Sequence, residues 1–173
     1  MNGNSDVVEK AESELVIERV FDAPRELVWR AWTEAERLAQ WWGPKGCEIE
    51  VKTLEFQPGG VFLYCMRLPD GNAMWGKFTY NEIEEPSRMS YISAFSDENG
   101  GTTRAPFFDG KWPLEVSNTL TLTEEIGQTT LTLRGNPINA TEIEKQAFAD
   151  AHSSMQQGFA GTMEQLTEFL AKG

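Results

Sequence analysis

The sequence predicts an α+β domain: a curved antiparallel sheet of six to seven strands around a long C-terminal helix, with two short helices after the first strand. Three observations predict it. Residues 47–134 alternate apolar and polar side chains in short runs separated by turns rich in Gly, Pro, Asn and Asp. Residues 143–170 carry apolar side chains at helical spacing. Residues 24–43 hold two short helical patterns that end at Gly43-Pro44.

Residues 1–13 are polar and charged without periodicity and read as a disordered leader, leaving 14–173 as one domain. Residues 14–21 (ELVIERVF) make the first strand, with Leu15, Ile17 and Arg19 on one side. It stops at Asp22-Ala23-Pro24, where Pro24 fits the first turn of a helix and Asp22 is the expected cap. Leu27, Trp29 and Trp32 follow at helical spacing, and Thr33 restarts a second short helix through Leu38 and Trp41. The period then changes to two. Ile49, Val51 and Leu54 suggest a strand, and Pro58-Gly59-Gly60 turns into a run that aligns Phe62, Tyr64, Met66 and Leu68. Pro69-Asp70-Gly71-Asn72 is a hairpin turn, after which Gly76, Phe78 and Tyr80 share a face. Beyond residues 84–87, Met89, Tyr91, Ser93 and Phe95 alternate, and after a long loop at 96–113 so do Leu114, Val116, Asn118, Leu120 and Leu122. Gly127-Gln128 reverses the chain into a last strand with Leu131 and Leu133 inward. Short turns between half-apolar strands mean an antiparallel sheet with one wet face.

The closing segment starts at a cap, Asn139 or Thr141, with Glu144 suited to the first turn. Ile143, Ala147, Ala151, Met155, Phe159, Met163, Leu166 and Leu170 then form one stripe. About thirty helical residues span roughly 45 Å, enough to cross a small sheet. Laying that stripe in the concavity of the sheet buries both apolar faces.

The chain has 173 residues, with 15 Lys and Arg against 27 Asp and Glu, a net charge of −12. That balance argues against nucleic acid and against anionic lipid surfaces. No apolar run approaches the roughly 20 residues of a membrane span, so a cytoplasmic location is expected. Cys47 and Cys65 are the only thiols and His152 the only histidine. They give no zinc spacing and no disulfide framework, so neither a metal nor a cofactor is expected.

The last helix carries Ala147, Ala151, Ser154, Gly158, Ala160 and Gly161 among its larger side chains. Each helical glycine costs about 0.8–1 kcal/mol against alanine. Either another segment approaches closely there or the small residues leave a cavity between helix and sheet. The expected ligand-binding set for such a cavity is Trp42, Tyr64, Met66, Phe78, Tyr80, Tyr91, Asn118, Leu120, His152, Met155 and Phe159, mostly apolar with a few polar tips. His152 is the candidate catalytic base, its alternative being a histidine bonded to the 96–113 loop. Asn118 interrupts an apolar strand face and needs partners, either tyrosine hydroxyls or a ligand. Trp41-Trp42-Gly43-Pro44 reads either as a lid or pocket rim or as two rings packing the short helices onto the sheet edge, with one tryptophan expected buried and one partly exposed. Phe107, Phe108 and Trp112 are expected to fold inward over the cavity mouth, since three aromatics in water would be unfavourable.

Asp22-Ala23-Pro24-Arg25, Leu27-Val28-Trp29, Trp41-Trp42-Gly43-Pro44, Pro58-Gly59-Gly60, Gly76, Glu82-Ile83, Gly127 with residues 129–133, and Gly158-Phe159 with Leu166 and Leu170 occur in a familiar order. Together they resemble the bacterial branch of the heat-shock-protein-90 ATPase activator family. That family lies within the superfamily of steroidogenic lipid-transfer domains, birch-pollen-type allergens and polyketide cyclases. The resemblance covers roughly residues 14–171 and implies a helix-grip fold with an internal cavity. Phe159 departs from it, standing where many relatives carry Trp. The frame hosts carriers, sensors, cyclases and chaperone regulators alike, and fold does not choose between them. The leading expectation is binding of a small hydrophobic or aromatic molecule. A cyclase- or hydrolase-type enzyme, or a stress-response protein that regulates a chaperone partner, are the alternatives, with a monomer or a homodimer equally open.

Overall fold

A computed structural model describes residues 14–106 and 108–172, so the leader at 1–13 and Phe107 lie outside the described residues. In chain order the elements are β1 (Leu15–Phe21), α1 (Arg25–Thr33), α2 (Ala35–Trp41), β2 (Glu48–Leu54), β3 (Val61–Arg67), β4 (Ala73–Glu84) and β5 (Arg88–Ser96). They continue through β6 (Thr102–Thr103), β7 (Glu115–Glu125), β8 (Gln128–Ile138), α3 (Glu142–Asp150) and α4 (His152–Ala171). One antiparallel sheet of eight strands results, in the order β1-β8-β7-β5-β4-β3-β2, with β6 paired outside that path to β5. The strand beyond the expected six to seven is β6, a two-residue bridge inside the 96–113 loop.

Register carries the apolar rows across the sheet. Ile17 faces Leu133, Leu133 faces Leu120 and Leu120 faces Met89. Farther along, Asn118 faces Tyr91, Tyr91 faces Tyr80, and Ser93 faces Phe78, which faces Phe62. Bulges at Val51/Thr53 and Tyr80/Glu82 add local bend and twist to the sheet. The helices α1 and α2 close one end. Val28, Trp29, Ala31, Trp32, Leu38 and Trp41 are buried there, and Trp41 Nε1 donates to the Ala31 carbonyl at 2.9 Å.

Two expectations about helix ends change. Asp22 does not cap α1. Pro24 itself is the N-cap, its carbonyl accepting from Leu27 and Val28, and the free Arg25 N–H donates to Glu124 of the β7–β8 hairpin at 2.8 Å. A cap from a distant strand end ties α1 to the sheet in a way a local Asp would not. The C-terminal helix is also not continuous. Thr141 and Glu144 form a reciprocal capping box that starts α3, but Ala151 takes φ −90° and ψ 0°. Its N–H is shared between the Ala147 and Phe148 carbonyls at 3.1 and 3.2 Å, so the chain tightens there and redirects into α4. Ile143, expected on the inner stripe, is consequently exposed. The 20 residues of α4 pack against α1, α2 and β1.

Candidate functional site

The concave face is not uniformly filled. On it Phe78 stacks on Tyr91 with ring centroids 4.1 Å apart and planes 19° from parallel, while Phe62 and Tyr80 meet Phe78 edge-on at 5.1 and 6.4 Å. Met89, Leu120, Leu122 and Leu131 join them, with Met163 and Leu166 from the second half of α4. Toward the other end, β5 and β7 part company. Their ladder ends at Ser93 opposite Val116; beyond it β5 pairs with β6 and the chain makes its 96–113 excursion. The first half of α4 faces this opening with small side chains.

A cavity of about 390 Å³ occupies that end. From α4 it is lined by Ala151, Ser154, Met155, Gly158, Phe159 and Thr162; from the sheet by Tyr64, Met66, Met74 and Phe95. Trp42, Gly43 and Pro44 form one rim and Trp112 the other. None of these lining side chains carries a formal charge. An adjoining chamber of about 130 Å³ shares Tyr64, Met66, Phe95 and Trp112 and is completed by Gly76, Ser93, Pro113, Leu114 and Val116, with Trp75 and Ala94 also at its wall. Of two other surface grooves, one is polar, bordered by Glu26, Arg30, Glu34 and Glu85, and one of about 420 Å³ is mixed, with Leu68, Met74, Trp75 and Phe95 beside Asn72, Thr103 and Arg104.

The rim is held from behind. Thr162 Oγ1 donates to the Gly43 carbonyl at 3.0 Å, and Gln165 Nε2 donates to the carbonyls of Gly43 and Trp41 at 2.7 and 3.1 Å. Gly43 takes φ +91°, and a Cβ there would meet Ile49 Cδ1 at 2.8 Å, so this turn both needs and leaves room only for glycine. Trp42 is thereby presented edge-on to Tyr64 and Phe78, with ring centroids at 6.1 and 5.5 Å. Its neighbour Trp41 is buried, so one tryptophan of the pair is core and one is rim. Across the mouth, Trp112 packs on Phe148 at 5.4 Å, and Arg104 Nη1 ties the loop down by bonding both the Trp112 carbonyl and the Glu144 carboxylate. Trp112 thus folds inward as expected; Phe107 lies outside the described residues, and only the backbone of Phe108, in a short 3₁₀ turn, is described.

Tyr64 is the polar centre. Its ring lies across Gly76 on the neighbouring strand, where a Cβ would fall 2.5 Å from the hydroxyl. Burial pushes its phenol above the ordinary range, and a hydrogen bond from Trp42 partly opposes that shift. Tyr80 and Tyr91 are pushed up further by burial alone or with neighbouring tyrosines. The Cys47 and Cys65 thiols are also raised, chiefly by burial, so neither resembles an activated nucleophile. Among the described residues no group of three His, Cys, Asp or Glu side chains could hold a metal ion.

Of the residues singled out in the sequence, Trp42, Tyr64, Met66, Met155 and Phe159 come together around the larger cavity. Phe78, Tyr80, Tyr91 and Leu120 lie on the same sheet face but in its packed part. Asn118 sits between, bonded through Nδ2 to Ser93 Oγ at 2.9 Å and to the Val116 carbonyl at 3.0 Å, rather than to a tyrosine hydroxyl. His152 is the first residue of α4, partly buried edge-on to Phe148 at 5.5 Å and outside the cavity lining. Met74, Phe95 and Thr162 were not in the expected set. For Phe95 the signal was present in its alternation with Ser93 and Tyr91. Among the described residues a Cβ at Gly158 or Gly161 would meet nothing within 4 Å, so close approach of a described segment does not account for either. Gly158 faces the cavity.

Residues 22–171 match the family described as Activator of Hsp90 ATPase homolog 1-like protein. The chain belongs to that family. Among curated proteins there is no match. Among solved structures, the Ms6760 protein of Mycobacterium smegmatis is 26% identical with a TM-score of 0.74, over 93% of this chain and 92% of that one. A protein of Arthrobacter aurescens is 28% identical with a TM-score of 0.77, over 94% and 88%. DynU16, a protein in the dynemicin biosynthetic locus, shares the fold at 18% identity and a TM-score of 0.63, over 92% of this chain and 47% of its own. These structures share the helix-grip architecture of this chain. Among the described residues no helix is long and apolar enough to cross a membrane.

Proposed function

We propose that this family member binds a small apolar or aromatic molecule in the cavity between α4 and the β3–β5 end of the sheet. The observation that carries the reading is an uncharged cavity of about 390 Å³ walled by Trp42, Tyr64, Met66, Phe95, Trp112, Met155 and Phe159. That volume lies within the range of small-molecule sites, and methionines and aromatics adapt to flat or irregular apolar surfaces. A cyclase or hydrolase reading is less well supported. Proton abstraction needs a group that ionises near neutral pH. Tyr64, the ionisable side chain on the lining, is pushed the other way. A chaperone-directed role rests on the family description alone and would show as a changed ATPase rate of a purified bacterial Hsp90.

The test is fluorescence titration with N-phenyl-1-naphthylamine, a neutral dye that brightens in apolar surroundings. The wild-type protein should give a saturable, blue-shifted signal of one site. Gly158→Leu should weaken it at least about tenfold by filling the space opposite Tyr64, while losing the glycine raises helix stability by roughly 0.8–1 kcal/mol. A dye signal that does not saturate, or equal affinity in both proteins, would sink the reading.

A further inference from the structure

The lining of the large cavity continues past its mouth. Met74 and Phe95 line both that cavity and the mixed groove of about 420 Å³, so the two spaces meet at these side chains. Along the groove Leu68 and Trp75 extend the apolar wall, and Asn72, Thr103 and Arg104 end it. Among the described residues Arg104 is the one formal charge on either lining. Its guanidinium is only half used. Both bonds it makes to described residues leave from Nη1, one to the Trp112 carbonyl and one to the Glu144 carboxylate. The N–H groups of Nε and Nη2 remain, an edge of the planar fork that can only donate and that matches a carboxylate. The side chain is 51% exposed, within reach of a ligand lying in the groove. Glu144 does not cancel the cation outright, because its other oxygen accepts the Thr141 N–H at 2.9 Å at the start of α3.

Resting on the binding role proposed above, we infer that the ligand is an amphipathic monocarboxylate, its apolar body in the cavity and its carboxylate in the groove at Arg104. The division follows from the two linings. A carboxylate inside the uncharged cavity would lose its hydration with no cation to replace it. A wholly apolar molecule long enough to fill both spaces would strip water from Arg104 and Asn72 and return no hydrogen bond. The head carries one charge rather than two. Glu144 stands beside the guanidinium, and Asp70, bonded to Asn72 Nδ2 at 3.0 Å, lies at the far side of the groove. Both repel a second negative charge, which disfavours a phosphate monoester.

Displacement of the naphthylamine dye by decanoate and by decanol, which differ only in the head group, tests the inference. In the wild-type protein at low salt the carboxylate should bind about threefold tighter than the alcohol, the range of a half-exposed ion pair. That advantage should shrink at high salt. Because Arg104 also holds Trp112, the ratio of the two affinities is read, not either affinity alone. The ratio should drop to one or below in Arg104→Gln and be partly kept in Arg104→Lys, which has the charge without the fork. It should rise in Glu144→Gln, where the competing carboxylate is gone. Lys45→Gln, at a cation beside the rim that pairs with Glu164, should leave it unchanged. The inference is overturned, and the apolar site stands, if the wild-type ratio is one or below, if it survives Arg104→Gln, or if it follows Lys45. Dye that binds but is displaced by neither compound, or decyl phosphate binding tighter than decanoate, also overturns it. If the dye itself finds no saturable site, the binding role fails with it.

Discussion

The two ends of the concave face are built from the same sheet and the same helix, yet one is solid and the other hollow. At the solid end every strand sends a large side chain inward, and Phe78, Tyr80 and Tyr91 interlock beneath Met163 and Leu166. At the hollow end Gly76 sends none, α4 offers Ala151, Ser154 and Gly158, and the β5–β7 ladder has come apart. What differs is side-chain volume at a few positions and one lost strand pairing. The space in a helix-grip frame is therefore adjustable locally, without altering the elements that carry it. Close packing is a property of rows, and a single row can be left unfilled while its neighbours hold the fold together.

The sharpest contrast comes from truncating an aromatic at the solid end. Phe78→Ala removes a ring that is 4% exposed and stacked on Tyr91, and should cost about 3–5 kcal/mol in urea unfolding. Loss of less than about 1 kcal/mol would mean the two ends do not differ as described. At the hollow end the informative change adds an atom. A Cβ at Gly76 would lie 2.5 Å from the Tyr64 hydroxyl, so Gly76→Ala must displace that ring. We expect about 1–3 kcal/mol of destabilisation and weaker naphthylamine binding as the displaced ring intrudes on the cavity. An alanine protein with wild-type stability and wild-type dye affinity would show that Tyr64 does not depend on that gap.

Titration offers a gentler comparison. The chain has three tyrosines, and Tyr64, Tyr80 and Tyr91 are all pushed above the ordinary phenol value of about 10 by burial. A raised folded-state value means the neutral phenol is favoured in the fold. Their contribution is complete below about pH 10 and declines as the pH rises beyond it. The tyrosinate absorbance band should then be missing from native protein near pH 10 and should grow only at higher pH, as the fold opens. Trp42 donates to Tyr64, which stabilises that phenolate, so the first part of the rise should belong to the hollow end and vanish in Tyr64→Phe. A band that appears near pH 10 in folded protein would remove the distinction between the two ends.

The alternation of Phe62, Tyr64 and Met66, or of Leu120 with Leu122, was enough to assign strands and the inward face, because period two is a local property of the backbone. Which inward positions meet a void was not legible. Tyr64 and Tyr80 have the same alternation; one lines a cavity and the other is core, and the difference lies in where β7 leaves β5. The break at Ala151 was equally silent, since alanine favours helix and the apolar stripe continues through it. Asn118 was legible as an anomaly, but its partners were not. They stand on a strand 25 residues away and on its own strand, and only register brings Ser93 within 2.9 Å. Trp42, Met155 and Phe159 could be picked out because a rim tryptophan and a helix stripe announce themselves in sequence. Met74 and Phe95 need the third dimension.

The smallest effect concerns the tie across the hollow end. Glu144 is held below the ordinary glutamate range, first by the Thr141 backbone N–H of the capping box and then by Arg104. A depressed folded-state value stabilises the fold above the unfolded value of about 4.3, and that contribution is lost as the pH falls through the folded one. Arg104 also holds the Trp112 carbonyl at 3.1 Å, so protonating Glu144 should loosen the wall of the cavity before it affects the aromatic block around Phe78. Glu144→Gln keeps an acceptor for Thr141 but removes the charge facing Arg104. Its melting temperature should sit slightly below wild type at pH 7, and the gap should close in acid as the wild-type carboxylate is neutralised. Dye affinity should fall with pH in the wild-type protein and be nearly flat in the variant. A melting-temperature gap that persists unchanged into acid would assign Glu144 to the helix cap alone and leave Trp112 held by packing on Phe148.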